Sequence, residues 1–340
     1  MKRQGTFPFT AIIGQEEMKK ALVLNVVNPR LGGVLITGEK GTAKSTTVRA
    51  LADLLPPRLC IKGCKFHDDP NDKSNWCDEC HEKYDNAAPE SEELPMKVVE
   101  LPVSATEDRV VGTLDIEAAI KEGRRSFETG ILADANRNIL YVDEINLLDD
   151  HVVDVLLDSA AMGINTVERE GISYSHPARF SLVGTMNPEE GDIRPQLLDR
   201  FALSVYVAGE KDLDKRAEVI KRRLEYEDDP ESFIKKWEEE QQNEVRRIQR
   251  AMKLLPQVTA SNEILRTAAQ ISITLGVDGH RADIVLIKTA ETLAAVAGHT
   301  EVTKEDLREA AHLALPHRMR RRPFEEQKLD WENVDKVIDG

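Results

Sequence analysis

Eight consecutive residues, Gly38-Glu39-Lys40-Gly41-Thr42-Ala43-Lys44-Ser45, have the types and spacing to hold a chain of phosphates. They lie between the apolar run Val34-Leu35-Ile36-Thr37 and a helical pattern opening at Thr46, the order strand, glycine-bearing loop, helix N-terminus. Backbone N–H groups in such a loop, with the positive end of the helix dipole, cradle the α and β phosphates. Lys44 can reach the β and γ phosphates, Ser45 can ligate Mg²⁺, and Thr46 closes the cradle. Ala43 stands immediately before the lysine, where glycine is usual. Its methyl is expected to fit a right-handed helical backbone. The implied ligand is a nucleoside triphosphate with Mg²⁺.

A second group supplies what hydrolysis needs. Asn138-Ile139-Leu140-Tyr141-Val142-Asp143-Glu144 is an apolar strand ending in paired acids. Asp143 is assigned to the Mg²⁺ ion together with Ser45, and Glu144 to orienting or deprotonating the attacking water. Phe180 to Met186 reads as another strand, ending at Asn187, which can bond the γ-phosphate or that water. The plainer role for Asn187 is a turn former before Pro188.

A third group is chemically separate. All four cysteines fall in Cys60-x3-Cys64-x12-Cys77-x2-Cys80, among Asp, Asn, Pro and Lys. Four clustered thiols closing in C-x-x-C read as a metal site, Zn²⁺ first and an iron–sulfur cluster second. His67 and His81 are near enough to substitute for a ligand; a redox thiol pair and inert cysteines are the other readings. Lys44 and Asp143 are about a hundred positions apart, more than one strand–helix–strand excursion needs. The cysteine segment, roughly 58–95, is therefore placed as an insertion on the rim of a sheet.

The elements that must position these groups are legible as apolar runs at 34–37, 98–102, 138–142, 180–185 and 203–207, alternating with helical patterns. That predicts a mainly parallel α/β nucleotide-binding domain over 1–208. A highly charged stretch, 209–256, reads as two amphipathic helices forming a linker or arm. Helical patterns at 260–275, 280–297 and 304–315 predict an all-helical lid domain over 257–318. Asp278-Gly279 marks a turn, Gly298 a stop, and Thr303 with Asp306 a capping start. Residues 319–340 read as a weakly ordered polar tail. The basic run His317 to Arg322 reads as solvated or partner-facing.

The chain has 340 residues, 41% of them apolar, and a formal net charge of -15. The charge argues against general nucleic-acid affinity. The absence of an 18-residue apolar run argues against a membrane span. The N-terminus has no apolar signal core, so a cytoplasmic location is expected.

Taken together the residues resemble the AAA+ superfamily and, more closely, the ATPase I subunit of magnesium chelatase and its cobalt-chelatase relatives. The likeness rests on Phe9 to Glu16, the phosphate loop, Gly130 to Arg137 leading into Tyr141 to Leu148, Val167 to Ser173, His176 to Phe180, Gly184 to Gly191, Arg194 to Phe201 and Gly279 to Asp283. It implies an AAA+ phosphate-loop fold with a helical lid and a homo-oligomeric ring, usually a hexamer, whose nucleotides sit between neighbours. Arg200 then matches the arginine finger serving the next subunit, with Arg194 a second candidate; its plain alternative is an ion pair to Asp199 or Asp192. Arg281 matches the second sensor, linking nucleotide state to lid position. Glu107 to Arg125 and Val167 to Arg179 match two partner-facing insertions. The implied partners are a von Willebrand-domain D-type subunit and a large tetrapyrrole-binding subunit that receives Mg²⁺ or Co²⁺. A MoxR-type chaperone that remodels a von Willebrand-domain partner or assists metal-centre assembly is the alternative. A helicase-like relative of the minichromosome-maintenance ATPases is disfavoured by charge.

Overall fold

A computed structural model describes residues 5–84, 87–115, 126–169, 172–277, 280–319 and 331–339. The expected turn at Asp278-Gly279, part of the 107–125 insertion, Glu170 and Gly171 of the 167–179 segment, and Arg320 to Arg322 lie outside them. All five expected strands form and pair in parallel, in the order Leu203–Val207, Val34–Gly38, Ser181–Met186, Ile139–Val142, Val98–Leu101. The central Ser181–Met186 strand is buried at every position. A parallel strand covered on both faces reads as a nearly unbroken apolar run, which is why the inner segments stand out in the sequence; the edge strands expose Glu100 and Tyr206. The phosphate loop leaves the carboxyl end of Val34–Gly38, beside the crevice where the strand order reverses; open α/β sheets bind ligands there.

The two insertions form antiparallel hairpins, Gly112–Asp115 with Ser126–Thr129, and Ile164–Arg169 with Ile172–Pro177. The cysteine segment includes a third small sheet, Arg58–Ile61 with Ser91–Leu94. It docks on the turn before the acidic strand: Arg58 donates to Asn136 O at 2.7 Å, and Arg137 to Leu59 O at 2.7 Å and His67 O at 3.0 Å.

The charged stretch departs from the expected arm. It forms three helices, Leu213–Asp228, Pro230–Lys236 and Glu238–Leu254, folded back on the body. Phe7, Tyr226, Phe233 and Trp237 form an aromatic cluster that ties the N-terminal segment to them, with Phe7 centred 5.2 Å from both Tyr226 and Phe233. The lid helices Asn262–Thr274, Arg281–Ala297 and Lys304–Ala314 share one apolar core with the helix Glu16–Val27 and the edge strand Leu203–Val207. Thr303 and Asp306 form the expected capping box. The end of the chain departs from a weakly ordered tail: Trp331–Asp339 is a helix whose Val334 and Ile338, one turn apart, are buried in the lid. Their spacing puts both on one helical face.

Candidate functional site

The loop's backbone is set by glycine where nothing else fits. Gly38 has φ +150°, and a Cβ there would lie 1.9 Å from Val207 O. Ala43 is left-handed, φ 60° and ψ 22°, contrary to the right-handed backbone expected of it. Its carbonyl accepts from Thr47 N and Thr47 Oγ1, both at 2.9 Å, so the helix start holds the conformation against a cost of about 1–2 kcal/mol. Lys44 Nζ donates to Gly38 O at 2.6 Å and Glu39 O at 3.2 Å. Burial pulls its pKa below the ordinary lysine value, opposed by Asp143 and Glu144.

Beside the loop is a cavity of about 250 Å³ lined by Ile12, Ile13, Thr42, Ala43, Thr46, Glu210, Val219 and Arg222. Its apolar walls and its place next to the phosphate cradle suit a nucleotide base. The wall from the Leu213–Asp228 helix was not legible in sequence, because it comes from a segment some 170 positions beyond the loop with no local signal of its role. Among the described residues, none of the helices after Asn262 lines this cavity.

Strand pairing brings the acids to the same end of the sheet. Thr185, on the neighbouring strand, holds both: its hydroxyl donates to Asp143 Oδ1 at 2.6 Å and accepts from Glu144 N at 3.1 Å. Tyr141 Oη adds a bond to Asp143 Oδ1 at 3.0 Å. Thr185 is a positioning residue that sequence reasoning passed over; it lies two residues before Asn187, whose extended backbone continues the Ser181–Met186 strand, so the two share a face. Glu144 is itself left-handed, φ 52°, a strain of the kind found where a side chain must be aimed. Its Oε1 lies 3.4 Å from Lys40 Nζ, which also pairs with Glu190. Hydrogen bonds to Glu190 and then Glu144 raise the lysine's pKa, and Lys40 in turn lowers that of Glu190. Asn187 is buried and caps its own turn, accepting from Glu189 N at 3.3 Å.

Arg200 sits elsewhere. Leu203 is in register with Val34, and Val207 with Gly38, so Arg200 precedes the amino end of a strand whose carboxyl end meets the loop. Four residues of strand separate those ends by roughly 13 Å. Arg200 pairs with Asp154 and with Asp158 Oδ1 at 3.1 Å, instead of Asp199 or Asp192, and Arg194 pairs with Asp150. The three acids are four residues apart on the helix Asp150–Met162, one face holding both arginines. Arg281 is half-exposed, 3.6 Å from Asp199 Oδ2, and so stands beside the Arg200 segment rather than over the loop.

The basic run corrects a second expectation. His317 and Arg318 are not solvated: Arg318 donates to Asp199 O at 3.0 Å and Ala202 O at 2.9 Å, and also to Phe201 O and Ala314 O. His317 Nε2 lies 2.8 Å from Phe201 O. The lid thus grips the carbonyls flanking Arg200. The cysteines are likewise rearranged. Cys64, Cys77 and Cys80 come together with Asp68, whereas Cys60, in the Arg58–Ile61 strand, lies 3.6 Å from Arg137 Nη1. His67 and His81 are outside the group as well.

Among the described residues no helix is long and apolar enough to cross a membrane. Residues 88–201 match the AAA domain family (dynein-related subfamily), and residues 265–338 the AAA lid domain family. The chain is 58% identical to the magnesium-chelatase subunit ChlI homolog of Methanocaldococcus jannaschii, over 99% of this chain and 92% of that one. It is 51% identical to magnesium-chelatase subunit ChlI of Nostoc sp., over 99% and 90%. Among solved structures it resembles one in the complex between subunits BchI and BchD of magnesium chelatase, based on single-particle cryo-EM reconstruction. There the TM-score is 0.56 at 47% identity, covering 98% of this chain and 99% of that one. With its loop, paired acids, parallel sheet and lid, this chain belongs to the magnesium-chelatase ChlI/BchI family of AAA+ ATPases.

Proposed function

We propose that the chain is the ATP-hydrolysing motor subunit of a chelatase complex that drives Mg²⁺, or Co²⁺, into a tetrapyrrole. It works as a homo-oligomeric ring, a hexamer, with a von Willebrand-domain D-type subunit and a large tetrapyrrole-binding subunit. The relatives named above carry the chelatase part of this reading. The observation that carries the ring is the division of the site: Lys44, Asp143 and Glu144 gather at the carboxyl end of the sheet, and Arg200 with Arg281 at the amino end. One copy cannot bring both ends to one triphosphate, whereas adjacent copies can.

The residues present fit ATP with Mg²⁺. The loop offers a left-handed backbone cradle, Lys44 a cation, and Ser45 and Asp143 hard oxygen donors. Bound there, the ion supplies charge neutralisation on the phosphate oxygens. Glu144 then takes the proton of the attacking water, aimed by its strained backbone and by Thr185. Asn187 orients that water. Arg200 of the adjacent copy leaves Asp154 and Asp158 to stabilise charge on the transferred phosphoryl group.

The test is reconstitution with the D-type and large subunits from the same cell. The reading predicts ATP-dependent metallation of the porphyrin that stops with Glu144→Gln. ATP hydrolysis stimulated by the D-type subunit, with no metallation of any tetrapyrrole by Mg²⁺ or Co²⁺, would overturn it.

A further inference from the structure

The sequence groups four cysteines, but the fold groups three of them with a carboxylate. One ligand atom each from Cys64, Asp68, Cys77 and Cys80 all lie within 4.8 Å of one another. Asp68, Cys77 and Cys80 are buried, and Cys64 is half-buried. Cys64 Sγ and Cys77 Sγ are 3.9 Å apart. That is far beyond a disulfide bond of about 2.05 Å. It is close to the roughly 3.8 Å edge of a tetrahedron with Zn–S bonds of about 2.3 Å.

Two further observations point to a cation. Asp68 Oδ2 accepts from Cys77 N at 2.7 Å, but Oδ1 is buried with no hydrogen-bond partner. A buried carboxylate oxygen left so is costly unless a positive charge meets it. Phe66 N donates to Cys64 Sγ at 3.4 Å, a bond that suits a thiolate. Cys60 is excluded from the group by its strand, which turns it to Arg137.

We propose that Cys64, Asp68, Cys77 and Cys80 bind one Zn²⁺ ion in a closed, tetrahedral, structural site. Three soft thiolates with one carboxylate suit a single Zn²⁺. A multi-iron cluster needs its ligands spread around a larger core than this spacing gives. The ion's place in the fold says what it holds. Phe66, between two of the ligands, accepts from Asn136 Nδ2 at its carbonyl and stacks its ring on His176 at 4.6 Å. Asn136 lies in the turn entering the Ile139–Val142 strand, and His176 in the Ile172–Pro177 strand of the hairpin formed with Ile164–Arg169. Zn²⁺ binding would therefore order a segment wedged between the acidic strand and that hairpin.

The test is metal analysis of the full chain purified without oxygen, with thiol titration. The proposal predicts about one zinc per chain, kept in Cys60→Ser and lost in Cys77→Ser. Because Cys77→Ser can fail to fold, the unaltered chain is also stripped with a chelator and reloaded with Co²⁺. It should then show the intense visible bands of tetrahedral cobalt with thiolate-to-metal charge transfer, and Asp68→Cys should intensify the charge transfer. Iron in place of zinc, four free thiols with no metal, zinc lost in Cys60→Ser, or octahedral cobalt bands would each overturn it.

Discussion

Arg318 meets Asp199 twice, donating to its carbonyl at 3.0 Å and placing Nε 3.4 Å from Oδ1. The same carboxylate faces Arg281 at 3.6 Å, and the next residue is Arg200. Arg318, Arg281 and the segment leading into Arg200 thus converge on one aspartate. A guanidinium this buried, its pKa pulled down to about 10 by burial, is held by its carbonyl partners. Arg318→Ala leaves those carbonyls unpaired and should cost about 2–4 kcal/mol in urea denaturation. Arg318→Lys should recover only part, because an ammonium cannot reproduce the planar fork of donors. A loss below about 0.5 kcal/mol in the alanine variant would show that the latch does not hold the lid.

The neighbouring His317 makes stability depend on pH. Burial lowers its pKa to about 3, against an ordinary value of 6.5. Below pH 6.5 the unfolded chain binds a proton that the folded one refuses. Stability therefore falls as pH drops from about 6.5 towards about 3, by about 1.4 kcal/mol per unit at most, and this group has no effect above that window. Burial lowers His67 and His176 as well, adding slope of the same sign. His317→Gln should flatten the acid limb without removing it. Equal slopes in both proteins between pH 6 and 4 would contradict this origin.

Ala43 gives a prediction of opposite sign. Ala43→Gly relieves a left-handed alanine worth about 1–2 kcal/mol, but adds freedom to the unfolded chain worth about 0.5–1 kcal/mol. A net gain of up to about 1.5 kcal/mol in thermal stability should follow, with nucleotide binding intact. A destabilised variant would mean that the methyl group packs to advantage in the cavity it lines.

The same residues show what a sequence discloses. The five strands were legible as short apolar runs, densest where the inner strands are buried and interrupted at Glu100 and Tyr206 in the half-covered edge strands, and the capping box because its chemistry is local. The paired acids of the Asp143 site were legible as a strand ending in charge. Arg318 was not: a run of arginines looks solvated until the fold brings carbonyls from over a hundred positions away. The ligand set was half legible, since cysteine spacing gathers a segment but cannot say which way Cys60 points or that Asp68 takes its place. Ala43 was misjudged because residue type alone does not state φ.

Sharing of each ATPase site between two copies is the central claim, and mixing two inactive variants tests it most directly. Glu144→Gln alone should bind ATP and hydrolyse it at least about 100-fold more slowly, the usual loss of a general base. Arg200→Ala should lose hydrolysis by stripping its neighbour's site. Mixed, the two should regain part of the activity, because an Arg200→Ala copy keeps its own Glu144 and can receive Arg200 from a Glu144→Gln neighbour. Recovery that rises to a maximum at intermediate ratios is the predicted result; no recovery at any ratio, with mixed rings shown to form, would contradict it.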